Sequence, residues 1–309
     1  MLKHESLNPT GSIKDRTATG LLVDIDRLKP LTPGTVIVES TSGNLGLALA
    51  RLVRLLDCNF IAVIDERTPR PTRDSLTASG VELYFVDEPD GQGGYLLSRL
   101  KAVRELCLAN PDYRWTNQYH NAANPLIHEQ TTGPEIARQG GAELDAVYVA
   151  VSTGGTLAGI SAHLRSVAPN IRIVAVDSTG SLVTGGVGGQ RLIAGLGASR
   201  ASSFLTDGAY DVAARISPAA GVAACRAFFE DTGIALGGSS GSVLRGYLDD
   251  LDQGLFPRRA LCLCPDDGSK YLGTLYDDGW LDTVHIAEAV HGAISRLRAD
   301  GLRFRVAAP

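Results

Sequence analysis

The sequence predicts an α/β protein whose parallel sheets are covered by helices on both faces. Short apolar runs rich in β-branched residues alternate with stretches of helical periodicity. Two of those runs end in a loop of small residues that opens a helix, and 35 glycines supply many tight turns.

Taken in order, Thr17 to Leu28 has helical periodicity with Asp15 in its first turn. Thr35-Val36-Ile37-Val38-Glu39 reads as a strand and Leu47 to Leu56 as the helix after it; Phe60 to Ile64 and Leu83 to Val86 are further strands. Polar residues from Asn117 to Asn124, followed by Pro125, interrupt the pattern before a helix at Ile127 to Gln139. A boundary there divides the chain into units 1–118 and 119–309. Ala146 to Val151 reads as a strand, Leu157 to Val167 as a helix, and Ile171 to Asp177 and Ala260 to Cys264 as strands. Gly180 to Ala201 is glycine-rich and aperiodic, and reads as a long functional loop carrying Arg191 and Arg200.

With 309 residues the chain can bury a large core, in two domains or one large α/β unit. Its 44% hydrophobic and 20% charged residues are those of an ordinary globular protein. A net charge of −5 with scattered arginines argues against nucleic-acid binding and for small-molecule partners. No apolar stretch is long enough to span a bilayer and Met1 to Glu5 lacks a signal-peptide core, so no membrane role and a cytoplasmic location are expected. Five irregularly spaced cysteines are expected to be free thiols, and Cys262-Leu263-Cys264 has the wrong spacing for zinc. None of the six histidines falls in a His-Glu-x-x-His arrangement, so no metal is expected. His120 fits pocket lining and a capped loop equally well, and Gly237 to Gly241 offers no partnered serine nucleophile.

The chemistry concentrates in three segments: Asn8-Pro9-Thr10-Gly11-Ser12-Ile13-Lys14-Asp15-Arg16, Ser40-Thr41-Ser42-Gly43-Asn44-Leu45-Gly46 and Ser152-Thr153-Gly154-Gly155-Thr156. A lysine on a first helical turn is ordinarily a solvated charge. Here it accompanies two strand–loop–helix junctions, where free amides and the positive end of a helix dipole converge on an anion. An amine for a Schiff base and a cradle for a phosphate point to pyridoxal phosphate, with the second loop suited to a substrate carboxylate.

These segments, with Asn117-Gln118-Tyr119, Thr132-Gly133-Pro134-Glu135-Ile136, Gly195-Leu196-Gly197 and Gly238-Ser239-Ser240-Gly241, resemble the cysteine synthase and cystathionine β-synthase group of fold-type II pyridoxal phosphate enzymes, the tryptophan synthase β-subunit superfamily. The resemblance runs over nearly the whole chain and implies a two-domain α/β fold and a homodimer. It implies that Lys14 holds the cofactor and acts as acid and base, Asn44 contacts its 3′ oxygen, and Ser152, Thr153, Gly154, Gly155 and Thr156 hold its phosphate. Thr41, Ser42, Gly43, Gln118 and Tyr119 would receive the amino-acid substrate. Within the group, the Gly180-Ser181 and Gly188 to Arg200 stretches look like the 2,3-diaminopropionate branch, which makes N-(2-amino-2-carboxyethyl)-L-glutamate from O-phospho-L-serine and L-glutamate for siderophores or peptide antibiotics. By the same resemblance Ser181 lies near the second substrate. Arg191 and Arg200 would suit a phosphate leaving group or glutamate carboxylates, surface solvation being the competing reading.

Three departures from the family pattern stand out. Asp267 is expected beside the pyridine nitrogen, where the family has serine or threonine; Leu45 replaces a threonine of cysteine synthases; and Lys14 comes early, with the family's N-terminal strand and crossing segment expected to be missing. Cysteine synthase is the enzymatic alternative, and a catalytically silent binding paralogue the non-enzymatic one.

Overall fold

The computed structural model describes residues 1–299 and 301–306. In chain order the regular elements are β1 (Leu2–His4), α1 (Lys14–Leu28), β2 (Val36–Ser40), α2 (Asn44–Leu55), β3 (Asn59–Asp65), α3 (Arg70–Ala78), β4 (Glu82–Val86), α4 (Leu96–Ala109) and β5 (Arg114–Trp115). There follow α5 (Ala123–Ile127), a π-helical turn (His128–Thr132), α6 (Gly133–Gly140), β6 (Leu144–Ala150), α7 (Gly155–Val167), β7 (Arg172–Ser178), β8 (Val212–Ile216), α8 (Pro218–Thr232), α9 (Gly238–Asp252), β9 (Arg259–Cys264), α10 (Asp278–Thr283) and α11 (Ala287–Ala299).

The strands form two all-parallel sheets, one of order β4-β3-β2-β5 and one of order β1-β9-β6-β7-β8. The central strands β3, β6, β7 and β9 are buried along nearly their whole length. That is why they read as continuous apolar runs rather than alternating ones. The core around Val147, Val149 and Leu157 also takes in Ile13 ahead of α1 and Leu96 and Leu100 of α4, so both halves of the chain share it. A second core, around Leu21, Leu49 and Ile64, lies between the first sheet and α1 and α2.

The segment ahead of Lys14 differs from expectation. Leu2–His4 is a strand, and it crosses to the second sheet, pairing with Cys262 to Cys264 of β9. Behind it an ion-pair cluster fastens the lysine-bearing helix to α6. Arg16 donates to both oxygens of Glu135 at 2.8 Å and to buried Glu5, and Lys3 donates to Glu135 at 2.8 Å. These contacts hold the Glu135 carboxyl down at about 2, the hydrogen bond from Arg16 acting most strongly. The helix expected at Ile127 to Gln139 is a continuous helical segment from Ala123 that widens into the π turn before α6. From Thr179 to Asp211 no helix or strand forms, in keeping with the loop expected at Gly180 to Ala201.

Candidate active site

Each sheet reverses its strand order at one point. β2 leads on to β3 and β4 on one side while β5 returns on the other; β6 leads to β7 and β8 while β9 returns beside it. Ligands of parallel sheets bind outside the carboxyl ends of strands at such switch points. Thr41 to Gly43 follow β2, Gln118 follows β5, Ser152 to Gly154 follow β6 and Pro265 and Asp266 follow β9, so the sequence motifs occupy both reversals.

Lys14 opens α1 at the junction between them. Ile13 N–H donates to Pro265 O at 2.8 Å, Ser12 bridges to Asp266, and Asp15 accepts from Thr10 N–H and Oγ1, so the lysine turn is stapled to the end of β9. Lys14 lines a cavity with Asn44, the Ser152-Thr153-Gly154 turn, Thr156 and Asp266. Desolvation pushes its amine down to about 8, against the opposing attraction of Asp266. An amine in that range reaches its nucleophilic, basic form near neutrality.

The β6–α7 turn has the features of an anion cradle. Gly154 adopts a left-handed φ of 91°, and a Cβ there would collide with Ser202 Oγ. At the N-terminus of α7 Gly155 N–H donates to Thr153 Oγ1 at 3.4 Å, and no side chain of the N-cap residue takes the amides that follow, which suits them to a ligand. Buried Asn124 ties this turn to the other sheet, donating to Gln118 O at 2.7 Å and to Thr153 Oγ1 at 3.1 Å. Buried His128, on the π turn, sits 3.0 Å from Thr17 Oγ1 of α1 and 3.3 Å from Thr156 Oγ1 of α7. Burial holds its imidazole neutral, helped by the positive charges of Lys14 and Arg16.

The aspartate in the cavity is Asp266, not Asp267. Asp266 is 3% exposed and Oδ2 accepts from Asn44 Nδ2 at 2.8 Å and from Tyr271 Oη at 2.6 Å, while Oδ1 is buried without a partner. Asp267 turns outward, its Oδ1 accepting from the amide and hydroxyl of Ser269. Leu45 is buried in the core beside Leu49 and presents no hydroxyl donor to a substrate.

None of the residues expected at the substrate lines the lysine cavity. Thr41 Oγ1 accepts from Gly46 N–H at 2.8 Å; Ser42 and Gly43 are half-buried at the start of α2, with open space where a Cβ of Gly43 would lie. Gln118 is buried, its amide donating to Glu39 Oε2 and its side chain to Ser40 O. The left-handed φ of 52° at Asn117 turns the chain into this position. Burial pushes Tyr119 up to about 12, and the nearby cations Arg99, Arg200 and Arg191 pull the other way. Ser181 and Arg191 are engaged within the long loop: Ser181 Oγ accepts from Val183 and Ala198 amides, and Arg191 donates to Gly180 O, Gly189 O and Ser199 Oγ. Arg200 is half-buried and donates no hydrogen bond to the described residues. His120 is exposed.

Four residues near the site carry no motif. Asp266, Asn124 and His128 are described above; the fourth, Arg99 on α4, is 8% exposed, lies 3.2 Å from Asp65 Oδ2, and leaves Nε and Nη1 without hydrogen bonds. Among the described residues no group of histidine, cysteine and carboxylate side chains is arranged to hold a metal ion, and no helix is long and apolar enough to cross a membrane.

A lowered amine, a helix start behind left-handed Gly154, and an orphaned carboxylate oxygen fit the aldehyde, phosphate and ring nitrogen of pyridoxal phosphate. Comparison with known proteins agrees. The family described as pyridoxal-phosphate dependent enzyme matches residues 1–266. The chain is 38% identical over 293 residues to N-(2-amino-2-carboxyethyl)-L-glutamate synthase of Ralstonia nicotianae, covering 95% of this chain and 86% of that one. It is 36% identical to the synthase of the same name from Cupriavidus metallidurans, covering 93% of this chain and 85% of the relative. Among solved structures, that of O-ureido-L-serine synthase superposes with a TM-score of 0.81 at 29% identity, covering 91% of this chain and 90% of the other. By its fold, its lysine cavity and these relatives, the chain belongs to the pyridoxal-phosphate dependent enzyme family, as a synthase of fold type II.

Proposed function

We propose that this enzyme replaces the phosphate of O-phospho-L-serine with the amino group of L-glutamate, yielding N-(2-amino-2-carboxyethyl)-L-glutamate and inorganic phosphate for 2,3-diaminopropionate biosynthesis. In this reaction the Cβ–O bond to phosphate breaks, a Cβ–N bond to glutamate forms, and the glutamate amine loses a proton to solvent. Pyridoxal phosphate supplies the electron sink that acidifies the substrate Cα–H. Lys14 takes that proton and returns it, which its lowered pKa suits. Thr41, Ser42, Gly43 and Gln118 receive the serine carboxylate at the end of β2.

The observation that carries the acceptor assignment is the set of cations about Tyr119. Arg99, Arg191 and Arg200 act on the Tyr119 phenol, and Arg99, ion-paired through Nη1 with Asp65 at 3.2 Å, keeps its Nε without a partner in a buried place. A dicarboxylate acceptor satisfies such donors, whereas sulfide leaves them unpaired. Relatives named for this reaction, at 38% and 36% identity, support the same reading. The proposal extends to a cytoplasmic homodimer and to two α/β units meeting near residue 118, with β1 the one strand before that point that joins the second sheet.

Phosphate release from O-phospho-L-serine by the holoenzyme, measured with different acceptors, tests the reading. Release that rises with L-glutamate and not with sulfide is expected. Release driven by sulfide alone assigns a cysteine synthase, and none with any acceptor assigns a silent binding paralogue.

A further inference from the structure

We propose that Asp266 is the counter-anion of the cofactor's ring nitrogen and keeps that nitrogen protonated. The inference rests on the family's cofactor occupying the Lys14 cavity and is independent of which acceptor is used.

Its first support is the rigidity of the Asp266 backbone. Asp266 O accepts from Ser240 Oγ at 3.1 Å and from Gly237 N–H at 3.4 Å, and the preceding carbonyl accepts from Ile13 N–H. The start of α9 and the lysine turn therefore clamp this residue from two sides.

The second support is the direction of the hydrogen bonds around the carboxylate. Lys270 Nζ donates to Asn44 Oδ1 at 2.8 Å and to Thr10 O at 3.0 Å. Ammonium has donors only, so it fixes the amide of Asn44 with its oxygen toward Lys270 and its nitrogen toward Asp266. Asp266 Oδ2 then accepts from that amide and from Tyr271 Oη. Burial is the largest influence on the Asp266 carboxyl and raises its pKa, and the two donors on Oδ2 and the ammonium of Lys270 oppose it, which leaves a protonated ring nitrogen to supply the rest of the counter-charge.

The third support is Oδ1. It is buried and unpartnered while the residue lines the same cavity as Lys14 and the phosphate cradle. A buried anionic oxygen calls for a cationic donor, and a protonated pyridine nitrogen is one. Lys270 is thus a positioning residue, acting through Asn44. Asp267 acts on Asp266 only as a neighbouring negative charge, its own carboxylate being engaged by Ser269 and outside the cavity wall.

The test uses protein loaded with pyridoxal phosphate labelled with nitrogen-15 in the ring, and reads the nitrogen resonance. Wild type and Asp267→Asn are expected to give the protonated shift from neutral pH to pH 9, and Asp266→Ser the unprotonated one. In parallel, the preference for pyridoxal phosphate over its analogue with ring CH in place of nitrogen should fall about tenfold in Asp266→Ser. A loaded wild-type protein with an unprotonated nitrogen overturns the proposal, as does an Asp266→Ser protein whose loaded nitrogen stays protonated. Should Asp266→Ser fail to fold, the near-isosteric Asp266→Asn takes its place, and the wild-type resonance decides on its own. Wild-type protein that takes up no pyridoxal phosphate refutes the cofactor reading as well.

Discussion

Asn44, at the start of α2 on the first sheet, donates to the Asp266 carboxylate at the end of β9 in the second at 2.8 Å. This one bond joins residues 222 positions apart and closes the floor of the cavity where Lys14 emerges. It forms because each sheet ends its reversal in a polar residue on a small-residue turn, and the two reversals face each other.

Lys14 controls cofactor capture. The rate at which cofactor-free protein takes up pyridoxal phosphate should rise with pH to half its maximum near 8, where the amine loses its proton. Stopped-flow absorbance measures this, and a midpoint near that of free lysine would contradict the lowered pKa. The folded amine lies below its unfolded value, so the unfolded state binds more protons between the two. Stability of the cofactor-free protein should then rise with pH from about 8 toward the unfolded lysine value and be level, from this group, below 8. Lys14→Ala should leave no adduct that borohydride can trap.

Gly154 sets the phosphate cradle. Gly154→Ala meets Ser202 Oγ and a left-handed φ of 91°, which alone costs about 1–2 kcal/mol. Affinity for pyridoxal phosphate should fall about tenfold or more, while affinity for pyridoxal, which lacks the phosphate, changes little. Equal losses for both would mean that the turn does not hold the phosphate.

The Arg16–Glu135 pair holds the lysine helix against α6. Glu135→Gln should lower unfolding stability by about 1–3 kcal/mol, read by urea titration at neutral pH. The Glu135 carboxyl is depressed in the folded state, so its contribution is complete above the ordinary glutamate value and fades as pH falls from there through about 2. Acid titration of wild type should show an unfolding step in that window that the variant lacks.

Arg99→Lys tests the acceptor end. Lysine keeps the charge beside Asp65 but loses the guanidinium fork. KM for L-glutamate should rise about tenfold with KM for O-phospho-L-serine nearly unchanged. A rise confined to O-phospho-L-serine would place the donor substrate there instead.

Much of the site was legible where strand, loop and helix follow one another without interruption. Thr35 to Leu56 and Ala146 to Val167 carry their periodicity into Asn44 and the Ser152 to Thr156 turn, and the structure places both turns at switch points. That Asp266 rather than Asp267 lines the cavity has a physical cause. β9 is buried on both faces, so no alternation marks which of two successive aspartates turns inward. β1 is three residues long, too short to show a period. Arg99 and His128 are buried polar groups on helical segments, and residue type argues for the surface in one case and is neutral in the other. Their place follows only from what packs around them.

The most direct measurement incubates the holoenzyme with O-phospho-L-serine and L-glutamate labelled with nitrogen-15 at its amine, and weighs the product. The account predicts N-(2-amino-2-carboxyethyl)-L-glutamate carrying the label, with one phosphate released per molecule formed and no product from the Lys14→Ala protein. Unlabelled product, or cysteine formed only when sulfide replaces glutamate, would contradict it.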